Sequence, residues 1–222
     1  MPKFVDHDAR RVEIVNAAGR VIEREGLEGL TIRVIAAEAG ASTAIVTHYF
    51  QHKEEILNAA SRMSQSRIAA RRAEIVKDLQ GIQALEAVLA ESLPLDADRK
   101  LELHIEISFW ARVISDETSR AQHLKSQDHW RAAIARFVQE AMDVGEIDPN
   151  QDVVEVAEGL MAFVDGMGVE ALMHPNRLSP PRQLQLLRNQ IGRLAPPEVS
   201  EFSQKPAERR RREVRARGQG KS

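Results

Sequence analysis

Apolar residues recur along this chain at three- and four-residue intervals, the spacing of a helix face, and no run alternates with the period of a strand. From about Asp8 to Glu25, Val12, Val15, Ala18, Val21 and Ile22 share one face, with Arg10, Glu13, Arg20 and Glu23 mostly away from it. Gly26 stops this first helix. Thr31 is placed to N-cap a short helix over 32–39 that ends at Gly40, and Ser42 to N-cap a second over 43–50. Lys53, Glu54 and Glu55 open a long helix to about Leu79, with its acids in the first turn where the helix dipole favours them, and Gly81 breaks it. Further helices are expected at about 83–92, 97–115, 118–144, 150–173 and 180–194. Pro94, the Ser115–Asp116 step, Gly145 with Pro149, and Pro175 with Pro180 and Pro181 punctuate them. The expected fold is all-α with about nine helices. From about Pro196 the pattern fades into Pro, Glu, Arg, Gly and Gln, so the end of the chain is expected to be disordered.

The two short helices carry the most specific information. Neither buries much alone, so they must pack on each other and on the first helix. Ile32, Ile35, Ala36 and Ala39 form one apolar stripe, and Ala36 is small where the second helix would cross. Gly40 permits a positive φ in the turn. Ile45, Val46, Tyr49 and Phe50 are expected to anchor the second helix. Thr43, Ala44, Thr47 and His48 are left facing outward, short or neutral side chains suited to a DNA major groove. This is helix-turn-helix architecture.

Composition narrows the class. The 222 residues are 43% hydrophobic and 29% charged, an ordinary globular balance, and no apolar run approaches the roughly 20 residues that span a bilayer. The opening residues lack the apolar core of a signal peptide, and the absence of cysteine excludes disulfides and thiolate metal sites, so the expected setting is cytoplasmic. Residues 205–222 hold eight basic and two acidic residues, among them Arg209–Arg212, so that tail is +6 and the remainder of the chain −8. The first 57 residues hold seven basic and nine acidic residues, so DNA binding there rests on geometry rather than bulk charge. A solvated tail is the plain reading of the arginine run; added non-specific DNA affinity is the alternative. His48 and His52 have the i, i+4 spacing of a zinc pair but no third ligand nearby, so no metal and no cofactor is expected. There is no cysteine nucleophile, no G-x-S-x-G turn and no phosphate-cradling glycine loop, and an enzyme is not expected.

The stretch TIRVIAAEAGASTAIVTHYFQHKEEIL resembles the signature of the TetR family of transcriptional regulators. It carries the T-x-x-x-I-A-x-x-A-G-x-S opening, the H-Y-F end of the recognition helix and the K-E start of the following helix. Thr43, Ala44 and Thr47 depart from the commonest pattern. The S-T-x-I-x-x-H-Y-F form is closer to the BetI-type choline–betaine regulators, which the stretches FWARVISD and EGLMAFVDGMGVEALM also resemble. The resemblance implies a DNA-binding domain over 1–52, a helical ligand-binding and dimerisation domain over 53–196, and a basic tail over 197–222. It implies a homodimeric repressor released from a palindromic operator by a small-molecule inducer. Thr31, Ser42, Tyr49 and Lys53 would meet phosphates, and Thr43, Ala44, Thr47 and His48 would face bases. Met63, Arg67, Ile105, Phe109, Trp110, Trp130, Ile134, Phe137 and Asp165 are candidates for the ligand cavity. Trp110 and Trp130 stand out there because indole faces attract quaternary ammonium groups. Asp165 stands out as a carboxylate in an otherwise apolar run, where it needs a partner. The last two helices would form the two-fold interface through Val156, Leu160, Val164, Met167 and Ala171 and through Leu184, Leu187 and Ile191, with Gly159, Gly166 and Gly168 allowing close approach. The alternatives are a regulator without a ligand, which a filled C-terminal core would favour, and a helical interaction module.

Overall fold

A computed structural model describes residues 7–197, apart from the side chains at 111, 112 and 122; the basic tail lies outside that range but for Pro197. The described residues form helices α1 (His7–Glu25), α2 (Ile32–Glu38), α3 (Thr43–Tyr49), α4 (Lys53–Ile75), α5 (Gly81–Ala90), α6 (Ala97–Ser115), α7 (Glu117–Asp143), α8 (Val153–Met173) and α9 (Pro180–Gly192). The expected all-α architecture holds.

Local chemistry sets the ends. Thr31 and Ser42 each accept a backbone N–H with the side-chain oxygen, from Val34 and Ile45, both at 3.2 Å. Asp116 accepts from Ser119 N at 2.7 Å to start α7, and Asp152 accepts from Val154 N and Glu155 N at 2.8 and 2.9 Å to start α8. Such caps each contribute about 1 kcal/mol. Gly81 opens α5 rather than breaking α4, which ends earlier than expected, at Ile75. Its φ is +55°, and the Glu146 carboxylate sits where a Cβ would be, accepting the Ile82 N–H at 2.7 Å.

Two apolar cores result. The first joins α1, α2 and α3 through Ile14, Ile22, Leu30, Ile35, Val46 and Phe50, all almost wholly enclosed. Each large side chain buried there contributes about 1.5–3 kcal/mol. That core also takes in Ile56, Leu57 and Ala60 of α4 and Ile105 of α6, and Ile105 Cδ1 lies 3.4 Å from where a Gly19 Cβ would stand. The DNA-facing helices are therefore seated on α4 and α6. The second core joins α5, α7, α8 and α9 through Leu85, Leu89, Ile134, Val138, Leu160, Val164, Leu187 and Ile191.

Candidate functional site

The outward surface is built on α3. Gly40, at φ +58°, turns the chain after α2, and Ala41 N–H returns to the Ala36 carbonyl at 2.8 Å. Val46 and Phe50 lock α3 inward, which leaves Thr43, Ala44, Thr47 and His48 exposed, as their spacing predicts. Ile45 is a correction: expected as an anchor, it is 40% exposed, because at seven residues α3 buries only one narrow stripe. Thr47 donates its hydroxyl to the Thr43 and Ala44 carbonyls at 3.0 and 3.2 Å, so its methyl is the group free to face outward. The Tyr49 hydroxyl lies 3.0 Å from His7 Nδ1, and His48 stacks edge-on to Tyr49 at 5.2 Å. Arg11 donates to the Tyr49 carbonyl at 3.2 Å and lies over Phe50. Lys53 is exposed at the start of α4.

A cavity of about 450 Å³ opens between α4, α6, α7 and α8, lined by Arg72, Glu106, His123, Trp130, Phe137 and Asp165 among others. The Arg72 guanidinium lies over the Trp130 ring, 3.4 Å from its centroid, and donates to Ser92 Oγ at 2.6 Å. Burial lowers the Arg72 pKa to about 10. Burial raises the Glu106 carboxyl to about 7, with the Asp165 charge adding to it and Arg72 opposing. Burial also raises Asp165 to about 6, against Arg72. Neither carboxylate forms an ion pair among the described residues.

Three of the ligand candidates, Trp130, Phe137 and Asp165, line this cavity. The structure places the others elsewhere. Met63, Arg67 and Ile105 line a separate hollow of about 310 Å³ between α1, α4 and α6, where Arg67 donates to Asn16 Oδ1 at 3.0 Å. Phe109 packs toward Asn58 and Ser61, Ile134 is fully enclosed in the core, and Trp110 is not in the lining. Arg72 and Glu106 were missed, because a charge on a helix reads as solvent-facing.

The interface stripe is corrected too. Val156, Leu160, Val164, Met167, Ala171, Leu187 and Ile191 are buried within the chain itself, and Leu184 is half-buried beside them. Gly168 also faces inward, with Leu103 Cδ2 3.0 Å from where its Cβ would be. The outward face of α8 is instead Gly159, Ala162, Gly166 and Met173, all exposed, with open space around both glycines.

The raised Glu106 carboxyl makes stability depend on pH. It binds a proton more readily folded than unfolded, so between about pH 4.5 and 7 the native state holds more protons and stability falls as pH rises. Glu106→Gln is therefore expected to raise the melting temperature at pH 8 by about 4–8 °C, from roughly 2 kcal/mol, and to leave it unchanged near pH 4.5. Melting curves at both pH values check this; an equal gain at both would show that charge is not the cause.

The exposed α3 surface, the two caps and the turn at Gly40 define a helix-turn-helix DNA-binding protein with a second, cavity-bearing helical layer. Residues 14–60 match the model described as bacterial regulatory proteins of the tetR family, and residues 81–196 match the BetI-type transcriptional repressor C-terminal domain. The chain is 31% identical to the HTH-type transcriptional regulator PksA of Bacillus subtilis, over 82% of this chain and 88% of that protein. It is 28% identical to the HTH-type transcriptional regulator BetI of Escherichia coli, over 88% of this chain and 99% of that one. A crystal structure of a transcriptional regulator from Saccharomonospora viridis in complex with choline is similar at TM-score 0.77 and 26% identity, covering 83% of this chain and 96% of that one. The chain belongs to the TetR family, with a C-terminal domain of BetI type, and is a DNA-binding transcriptional regulator rather than an enzyme. Among the described residues no helix is long and apolar enough to cross a membrane, and no group of three or more metal-ligating side chains occurs.

Proposed function

We propose that this protein is a cytoplasmic, homodimeric repressor that holds a palindromic operator and releases it when a small molecule fills the cavity between α4, α6, α7 and α8. One observation carries the reading: α4 joins the two sites. It begins at Lys53, three residues after α3, and forms the cavity wall from Gln65 to Val76. At 1.5 Å per residue its 23 residues span roughly 34 Å, so a small tilt at the cavity becomes a displacement at α3. The dimer must hold its two recognition helices about 34–36 Å apart to enter successive major grooves. A ligand that prefers another spacing lowers operator affinity, typically about 5–150-fold. The open cavity argues against a regulator without a ligand. The similar protein crystallised with choline supports a ligand role for this domain. The division into 1–52 and 53–196 belongs to the same proposal.

On the DNA side, Thr31, Ser42, Tyr49 and Lys53 set the register on phosphates and Thr43, Ala44, Thr47 and His48 read bases. Genomic fragments retained by the purified protein should share a palindrome with half-sites one helical turn apart. Because the Thr47 hydroxyl is spent within α3, Thr47→Val should bind such a fragment as tightly as the parent. Thr47→Ser should weaken it about fourfold, from roughly 0.8 kcal/mol for the lost methyl. The reverse order would assign base contact to the hydroxyl, and failure to retain any fragment would overturn the reading.

A further inference from the structure

Adjacent arginines on α4 are treated oppositely by the fold. Arg71 is saturated: it donates to Glu91 at 2.6 Å and to both oxygens of Glu102 at 2.9 and 2.5 Å. Arg72, one residue on, faces the cavity with a single hydrogen bond, to Ser92 Oγ, and its Nε–H is buried without an acceptor. Across the same cavity Glu106 and Asp165 lie on α6 and α8, again without an ion pair among the described residues. Arg72, Glu106 and Asp165 thus bring both signs of charge to one cavity, which His123, His129 and Arg136 also line, and none of the three is ion-paired to another. Burying a charge without a partner is costly, and a ligand that supplies the partner recovers that cost. A ligand of one charge would satisfy one side and leave the other bare.

We infer that the cavity takes a small dipolar molecule, with a protonated amine held by Glu106 and Asp165 and a carboxylate held by Arg72. The position of Trp130 sets the kind of cation. One face of its indole is already covered by the Arg72 guanidinium at 3.4 Å, so a quaternary ammonium approaching that face would meet a cation in its place. The cationic end of the ligand goes to the carboxylates, where an ammonium with N–H donors makes charge-assisted hydrogen bonds. Stacking holds the Arg72 fork in one plane, and that fork matches a carboxylate's two oxygens. The aliphatic part of the ligand lies against Leu103, Val88 and Phe137. This inference deepens the ligand-release reading and rests on it for its regulatory meaning.

The test is calorimetric titration of the full-length protein with a series of linear ω-amino acids (glycine, 3-aminopropanoate, 4-aminobutanoate, 6-aminohexanoate), each against its two one-charge counterparts, the alkylammonium and the alkylcarboxylate. At least one amino acid is expected to bind about tenfold or more tightly than both counterparts, the size of one charge-assisted hydrogen bond. Arg72→Met should erase that advantage while leaving alkylammonium binding intact, and Glu106→Gln with Asp165→Asn should do the same for alkylcarboxylate binding. An alkylammonium binding as tightly as the amino acid, or no saturable heat from any probe, overturns the inference. The parent-protein series stands alone if a variant fails to fold. DNA retention by the same preparation separates the two readings. DNA binding without amino acid binding sinks only this inference, and the reverse sinks only the operator reading.

Discussion

Ala162→Arg is expected to leave each chain folded, to prevent two chains from pairing, and to weaken operator binding about 10²–10⁴-fold, the gain that linking two half-site contacts supplies. The argument begins with the faces of α8. Its bulky side chains, Val156, Leu160, Val164 and Met167, are turned into the chain's own core, so Ala162 can change without disturbing them. On the other face Gly159, Ala162 and Gly166 follow at three- and four-residue steps, exposed and with open space around the glycines. Between the exposed Glu155 and Glu170, these three small residues leave a short stretch of α8 where a second helix could approach closely. In a two-fold dimer each residue of that strip meets the strip of the partner, so one substitution inserts two guanidiniums into one contact. The variant should elute at half the parent's mass, with an unchanged helical spectrum, and retain only salt-sensitive, non-specific DNA affinity. A dimer of full affinity would place the interface elsewhere.

This helix also marks where the sequence stops being legible. Several helix spans were readable because their signals are local: Thr31 and Ser42 cap, and glycines and prolines punctuate; the Asp152 cap was missed, and α8 starts at Val153 rather than about 150. The α6 boundaries agree at both ends, Ala97 and Ser115. The α3 surface was readable because one face of a short helix must be buried and the rest is then exposed. For α8 periodicity identifies an apolar stripe but not whose core receives it. A helix placed between its own core and a partner carries bulk on one side and small residues on the other, and the bulk stood out. The cavity was half visible for a related reason. Asp165 interrupts an apolar run, and Trp130 and Phe137 are scarce aromatics, so each drew attention. Nothing within the sequence neighbourhood distinguishes Arg72 from Arg71; which of them meets carboxylates depends on where α5 and α6 cross α4.

Arg71→Met is expected to lower stability by about 3–5 kcal/mol and the melting temperature by roughly 6–20 °C. Arg71 bridges Glu91, at the end of α5, and Glu102 on α6, whose side chains are only 3% and 6% exposed. Glu91 keeps a second cation in Arg99, but Glu102 has Arg71 alone among the described residues. The cost therefore falls on Glu102, left buried without its partner, more than on the lost attraction. Two further variants separate these causes. Arg71→Met combined with Glu102→Gln should recover much of the loss, since no bare charge remains. Arg71→Lys should fall between, because an ammonium is a point charge that cannot serve both carboxylates as a planar fork does. The pH profile adds an independent check. Burial works to raise the Glu91 carboxyl, but hydrogen bonds from Arg99 and Arg71 prevail and hold it below the usual carboxylate range. A depressed carboxylate contributes stability that is present above its unfolded pKa and lost as pH falls, so removing Arg71 should shrink the acid-side loss while lowering stability at neutral pH. A loss of under about 1 kcal/mol at pH 7, or no recovery in the double variant, would mean that Glu102 is not left unpaired when Arg71 is removed. The bridge also defines what a ligand is able to move. It fastens α4 to α5 and α6 one residue before Arg72, within the stretch of α4 that lines the cavity.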